Sequence, residues 1–270
     1  FAGHAIEVRL CAEDARHGFM PQSGTMRGWR PAEGIRTDHA LRPGDAIPPY
    51  YDSMIAKLVA HGATREEARR RLMLALEEMT ALGVVTNQEF LGRCLAHPAF
   101  AAGEATTAFI GRNEAALTAR NSEARGRAAA LAAWFIHGGL IHRAAAADHG
   151  AAAALAPALP VALSFTLDGE PIVAQVAQLS PRDFAVVIDG DDHRLAAAGR
   201  DGESVRFVLD GVMEGTTVAR DGATVNFRYR GAVWSARDLT RAPAARAGAG
   251  GGDGRVRAAM SGRVVAVEIA

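Results

Sequence analysis

A guanidinium that stays protonated can orient an anion and stabilise a developing oxyanion. Arg9, set among Glu7, Glu13 and Asp14, is the first residue of this kind in the chain. A structural alternative pairs it with Glu7 or Glu13, and Glu7 and Asp14 themselves read as structural charges. Lysine-based covalent chemistry has one candidate, because Lys57 is the only lysine among the 30 basic residues and arginine is not readily deprotonated or acylated. Lys57 lies in the apolar run Ile55-Ala-Lys-Leu-Val59, where a strand lysine snorkels toward water more naturally than it reacts. His137 and His142 approach helical spacing but have no acidic or cysteine ligand beside them, so no metal site is expected. Cys11 and Cys94 are too few for a disulfide framework and too far apart for a zinc knuckle, which points to a reducing compartment and a cytoplasmic location. The sequence has no Gly-rich phosphate loop, His-Glu-x-x-His, Cys-x-x-Cys or nucleophile elbow.

The elements that must position these residues fall into four zones. With 270 residues, 49% hydrophobic and 22% charged, the chain has room for one large domain or two modest ones. Its 30 basic and 30 acidic residues cancel, so it lacks the basic surplus of a nucleic-acid binder. No apolar run approaches the roughly 20 residues of a membrane span, and no membrane partner is expected. Residues 1–112 open with a strand over Ala5–Leu10, with Ile6, Val8 and Leu10 on one face. A helix is predicted over Thr64–Leu82, where Thr64 and Glu67 form a capping box, and another over Asn87–Ala96. From 113 to about 156 an Ala-rich segment with Trp134 and Phe135 in its middle reads as one long helix, broken or kinked near Gly138-Gly139. From 161 to 240 eight short alternating segments are punctuated by Asp-Gly at 168, 189, 201, 210 and 221, the tight-turn signal of antiparallel hairpins. They imply a barrel or sandwich that the preceding helix covers or plugs. Residues 241–255 are a Pro/Ala/Gly linker, and an alternating pattern resumes at 256–270. A chain that begins at Phe1 in mid-pattern and stops at Ala270 within a strand-like run reads as a fragment of a longer one.

Several long motifs occur in one order. Gly3-His-Ala-Ile-Glu-Val-Arg9-Leu-Cys-Ala-Glu-Asp14 resembles the strand near the active site of biotin carboxylases, whose pattern is close to Gly-His-Ala-x-Glu-x-Arg-x-x-Ala-Glu-Asp. Pro21-Gln-Ser-Gly24, Pro48-Pro-Tyr-Tyr-Asp-Ser-Met-Ile-Ala-Lys-Leu58, Gly83-Val-Val-Thr-Asn87, His97-Pro-Ala-Phe and Ala105-Thr-Thr-Ala-Phe-Ile110 resemble later parts of the same domain. Near the other end, Val256-Arg-Ala-Ala-Met-Ser-Gly-Arg-Val-Val265 resembles the opening of a biotinyl carrier domain, with Ala259 and Ser261 in place of prolines. The carrier's Met-Lys-Met hairpin is not in the sequence. This order resembles the α subunits of 3-methylcrotonyl-, geranyl- and propionyl-CoA carboxylases, although residues 161–240 carry no distinctive motif of their own.

The resemblance implies an α+β chain. It would comprise the C-terminal part of an ATP-grasp biotin carboxylase domain (1–112), a long helix with an about eight-stranded antiparallel BT-like barrel (113–240), a linker (241–255) and the first strand of a biotinyl/lipoyl-like domain (256–270). It implies that Arg9 faces bicarbonate and the ureido oxygen of biotin, and that Arg36 and Asp52 belong to a dimer interface of stand-alone carboxylases. ATP and Mg²⁺ would be bound mainly by residues upstream of Phe1, and biotin attached downstream of residue 270. The segment would then be inert alone, a scaffold that docks on a carboxyltransferase β subunit in a hetero-oligomer and meets acyl-CoA, first 3-methylcrotonyl-CoA, only through that partner. Trp134 and Phe135 either anchor the β subunit or pack on their own barrel. A single-chain enzyme such as urea carboxylase, and a non-enzymatic β-barrel interaction module, are the alternatives.

Overall fold

The computed structural model describes residues 2–119, 122–146 and 159–242, with residues 122–123 and 139–146 as helix backbone only. Most of the expected linker and all of the expected carrier strand lie outside the described residues. The described chain forms two compact units, divided after Ala119.

In the first unit, β1 (His4–Cys11) leads into the short strands β2 (Glu13–Asp14), β3 (Met20–Pro21), β4 (Gly24–Thr25), β5 (Gly28–Arg30), β6 (Arg36–His39) and β7 (Ala46–Ile47). The long strand β8 (Met54–Gly62) follows, then helix α1 (Arg65–Glu78), β9 (Thr80–Leu82), and helices α2 (Gln88–Ala96), α3 (Pro98–Ala101) and α4 (Phe109–Thr118). An antiparallel sheet of order β1-β8-β6 carries the unit. Alternation turns Ile6, Val8 and Leu10, with Ala56, Leu58 and Ala60, toward Leu72, Ala75 and Leu76 of α1. On the opposite face Glu7, Arg9, Arg36 and Asp38 are exposed.

Helix α1 begins as expected: the Thr64 hydroxyl accepts the Glu67 N–H at 3.1 Å. The Glu67 carboxylate in turn accepts the Ala63 N–H at 2.8 Å. It stops at Glu78 rather than Leu82. Thr80–Leu82 instead pair with Gly28–Arg30 as strand β9. Their apolar run continues the helical stripe in sequence, and a short buried run reads equally as helix or strand. The following Gly83, at φ +102°, would place a Cβ 2.4 Å from the Thr25 carbonyl oxygen, so only glycine fits there.

The second unit contains helix α5 (Ser122–Ala146) and strands β10 (Val161–Leu167), β11 (Glu170–Gln178), β12 (Asp183–Ile188), β13 (Asp191–Asp201), β14 (Ser204–Leu209), β15 (Val212–Asp221), β16 (Thr224–Tyr229) and β17 (Ala232–Asp238). The expected barrel closes: each strand pairs antiparallel with the next, and β17 returns to β10 through Phe165–Asp238, Thr166–Arg237 and Leu167–Ala236. Asp168, Asp189 and Asp210 adopt left-handed φ of 50°, 52° and 52° before glycines at positive φ, the geometry of two-residue hairpin loops. Arg230-Gly231 makes the same turn without the Asp-Gly signal.

Up to Ala146 the expected single helix from 113 to about 156 is two helices, α4 and α5, and the remainder lies outside the described residues. Helix α4 ends where Ala119 turns extended while its N–H still bonds the Ala115 carbonyl. Within α5 the helix runs unbroken through Gly138-Gly139 to Ala146. A glycine costs about 1 kcal/mol relative to alanine, too little to break a helix whose preceding turns are buried. Ala124, Ala128–Ala133, Trp134 and Ile136 share one core with the inward residues of the barrel strands. An eight-stranded barrel is only wide enough for side chains to fill, so the helix inside it must be lined with methyl groups. The Ala-rich composition is therefore a steric fit.

Candidate functional site

The outer face of the β1-β8-β6 sheet collects the charged residues. Register places Arg9 opposite Lys57, and Lys57 opposite Asp38. The next row on the same face is Glu7, Val59 and Arg36. Oε1 of Glu7 lies 3.7 Å from Arg9 Nε and 3.8 Å from Lys57 Nζ. Arg36 Nε donates to both Asp38 oxygens at 3.0 and 3.1 Å, and this hydrogen bonding holds the Asp38 carboxyl below the ordinary carboxylate range. Three cations and two carboxylates thus share an open sheet face. Arg9 keeps 68% of its side chain exposed, so its ion pair adds little stability and its guanidinium is presented to solvent.

The backbone beneath Arg9 is held more firmly than its side chain. Asn87, expected only as a helix start, accepts the Cys11 N–H on Oδ1 at 2.9 Å and donates Nδ2–H to the Arg9 carbonyl at 3.2 Å. Its own N–H bonds the Cys11 carbonyl at 3.1 Å. These three bonds bracket the register shift between Leu10 and Cys11 and fasten β1 to the start of α2. Its place in Gly83-Val-Val-Thr-Asn87 was the one sequence signal available; its partners lie more than seventy residues away.

The neighbouring acids are structural. Asp14 accepts the Arg16 N–H at 3.0 Å and contacts His17 Nδ1 at 2.7 Å. Burial pushes its carboxyl up, but these bonds outweigh burial and hold it below its ordinary value. Glu13 accepts the Ser53 hydroxyl, and Asp52 accepts the Met54 N–H at 3.0 Å, which sets the entry to β8. Arg36 and Asp52 are both exposed, with Tyr50 and Tyr51 exposed beside Asp52. Neither cysteine is primed as a nucleophile: burial, then Glu13, raises Cys11, and burial pushes Cys94 up to about 11. Among the described residues no group of three or more His, Cys, Asp or Glu is placed to hold a metal ion.

In the second unit, Trp134 is 9% exposed, with its ring 5.9 Å from Phe184 and 6.1 Å from Phe207. Phe135 meets Phe227 at 5.5 Å. Both rings pack on their own barrel.

Residues 7–112 match the family described as "Biotin carboxylase C-terminal domain". The chain is 44% identical over 112 residues to biotin carboxylase 1 of Bacillus subtilis, covering 41% of this chain and 25% of that protein. It is 39% identical over 134 residues to the mitochondrial methylcrotonoyl-CoA carboxylase subunit alpha of Dictyostelium discoideum, covering 48% of this chain and 19% of that protein. The biotin carboxylase domain of Hydrogenobacter thermophilus 2-oxoglutarate carboxylase, solved with MgADP, ADP and bicarbonate, is 35% identical, with 45% of this chain and 27% of that one covered at a TM-score of 0.44. The chain thus spans about a quarter or less of the length of the first two relatives. Residues 7–112, which carry the charged sheet face and the Asn87 bracket, are a biotin carboxylase C-terminal domain.

Proposed function

We propose that this chain belongs to the α subunit of a biotin-dependent acyl-CoA carboxylase, where it joins the ATP-driven carboxylase lobe to the biotin carrier and docks on a carboxyltransferase β subunit. The observation that carries this reading is the order of parts: a biotin carboxylase C-terminal domain followed by a helix threaded through a closed eight-stranded barrel. In this reading ATP and Mg²⁺ are held mainly by residues upstream of Phe1 and biotin by a lysine past residue 270. The parent is a ligase of the cytoplasm that works as a hetero-oligomer.

Arg9 fits an anionic co-substrate. Its exposed guanidinium is steadied by one carboxylate and has a second cation, Lys57, directly opposite. There it orients bicarbonate and the ureido oxygen of biotin, while Asn87 fixes the backbone that carries it. Arg36 and Asp52, exposed on the same domain, serve contacts between carboxylase domains. Biotin, when attached to its carrier, supplies the carboxyl-accepting nitrogen.

3-Methylcrotonyl-CoA is the first substrate to test, supported by the name of the Dictyostelium relative, with geranyl-CoA and propionyl-CoA next. The match to the pyruvate carboxylase of Aspergillus terreus, 41% identical over 111 residues that make up 9% of that long protein, favours a second reading in which the parent is a single-chain carboxylase. The full-length parent, expressed with a candidate β subunit, should transfer radiolabelled bicarbonate to one of these acyl-CoAs in an ATP-dependent reaction and lose the complex when residues 113–240 are deleted. A complex undiminished by that deletion would overturn the docking role. Transfer without any partner would favour the single-chain reading.

A further inference from the structure

Packing is incomplete at one end of the barrel. A cavity of about 470 Å³ lies beside α5, with Trp134, Phe135, Phe184 and Val218 forming an apolar floor. Its opening follows from the strand geometry. Ala197 pairs with Phe207 and Gly199 with Arg206, so Ala198 is an extra residue in β13. Such a bulge bends a strand and interrupts its ladder at a barrel rim. All three residues of the bulge line the cavity. On the helix side, a Cβ at Gly138 would meet no atom within 4 Å among the described residues.

The rim is cationic. Arg182, Arg200 and Arg220 line the cavity, and no Asp or Glu does so among the described residues. The guanidiniums of Arg200 and Arg220 are tied to the frame, and Arg182 is anchored through its backbone. Arg220 Nη2 donates to the Phe135 carbonyl at 2.5 Å, and Arg200 Nε donates to the Gly202 carbonyl at 2.9 Å. The Arg182 carbonyl accepts the Ala197 N–H at 2.8 Å, which couples its turn to the bulge. An apolar floor beneath clustered guanidiniums matches one ligand chemistry, because guanidinium groups bind carboxylates through paired N–H donors while the floor accepts hydrocarbon. The volume lies within the roughly 300–1,000 Å³ of small-molecule sites.

We propose that this cavity is a binding site for an amphipathic organic acid, with its hydrocarbon body against Trp134, Phe135 and Phe184 and its carboxylate at Arg182 and Arg200. The inference stands on the barrel alone and is independent of the carboxylase reading. The test is calorimetric titration of the 270-residue chain with decanoate and with decanol, its neutral counterpart. Decanoate should bind more tightly than decanol. The double variant Arg182→Gln/Arg200→Gln should weaken decanoate by about tenfold or more, the loss expected for charged hydrogen bonds, and leave decanol unchanged. Gly138→Leu should abolish binding of both by filling the cavity from the helix. Ala198→Trp, at an exposed rim position, does the same should the leucine variant fail to fold. Equal affinity for decanoate and decanol, no binding of decanoate, or decanoate binding untouched by the double arginine variant would each overturn the proposal.

Discussion

Arg9 and Lys57 face each other across the β1–β8 ladder, and a single oxygen, Glu7 Oε1, stands 3.7 Å from one and 3.8 Å from the other. Like charges directly opposite on a sheet oppose pairing, and the shared carboxylate offsets that cost. The arrangement keeps a cation on an open face where it does little for stability.

Arg9→Gln should therefore shift unfolding free energy by no more than about 0.5 kcal/mol, as for other exposed surface changes. In the full-length parent the same change should lower ATP-dependent carboxylation of free biotin by about a hundredfold, the scale of losing one oriented donor. Urea melts and bicarbonate-dependent ATP turnover provide the two readouts. Wild-type turnover in the variant would remove Arg9 from the site.

Asn87→Ala deletes the acceptor of the Cys11 N–H and the donor to the Arg9 carbonyl in a nearly buried setting. Leaving those backbone groups unsatisfied should cost about 1–3 kcal/mol, seen as a lower urea midpoint with an unchanged slope. A cost near zero would mean that Asn87 does not secure β1 to α2.

Ala130 is fully buried within the barrel core. Ala130→Leu should destabilise the second unit by about 1–3 kcal/mol through overpacking, despite leucine's good helix propensity. Chemical denaturation followed by tryptophan fluorescence measures this, since Trp134 and Trp234 lie in the same core. A stabilised variant would mean that the helix is not confined by the barrel.

His137 is buried against Phe184, its Nδ1 has no hydrogen-bond partner among the described residues, and burial holds its pKa below the ordinary 6.5. The unfolded chain therefore takes up a proton at higher pH than the folded one. Stability should fall as pH drops through about 6.5 and level off once the folded histidine also protonates. His137→Leu should flatten that limb below about pH 7 in pH-dependent melts. A separate limb belongs to Asp210. Burial pushes Asp210 up from its ordinary 3.8, but hydrogen bonds from His193 and the Arg194 N–H outweigh it and hold it lower. The stability it adds is present above pH 4 and lost as acid protonates the folded carboxyl. If His137→Leu left the upper limb intact, another group would be its source.

Alternation and turn chemistry act over two to four residues, so they were legible in the sequence. Val161–Leu167 appears as anticipated, and the Asp-Gly pairs at 168, 189 and 210 make the expected left-handed turns. The motifs around Arg9 and Lys57 likewise indicated the carboxylase domain before their strands were seen to pair. Tertiary contacts decided the rest. Thr80–Leu82 left the helix because Gly28–Arg30 offered a ladder, and Asn87 became a bracket because Cys11 lay within reach. The alanines of α5 acquired meaning only from the ring that encloses them, since helix propensity cannot report the width of a barrel that runs from Val161 to Asp238 and whose first and last strands must meet. The cavity and its arginines arise from the same long-range closure, where one extra residue at Ala198 sets the shape of a surface assembled from α5 and the stretch from β11 to β15.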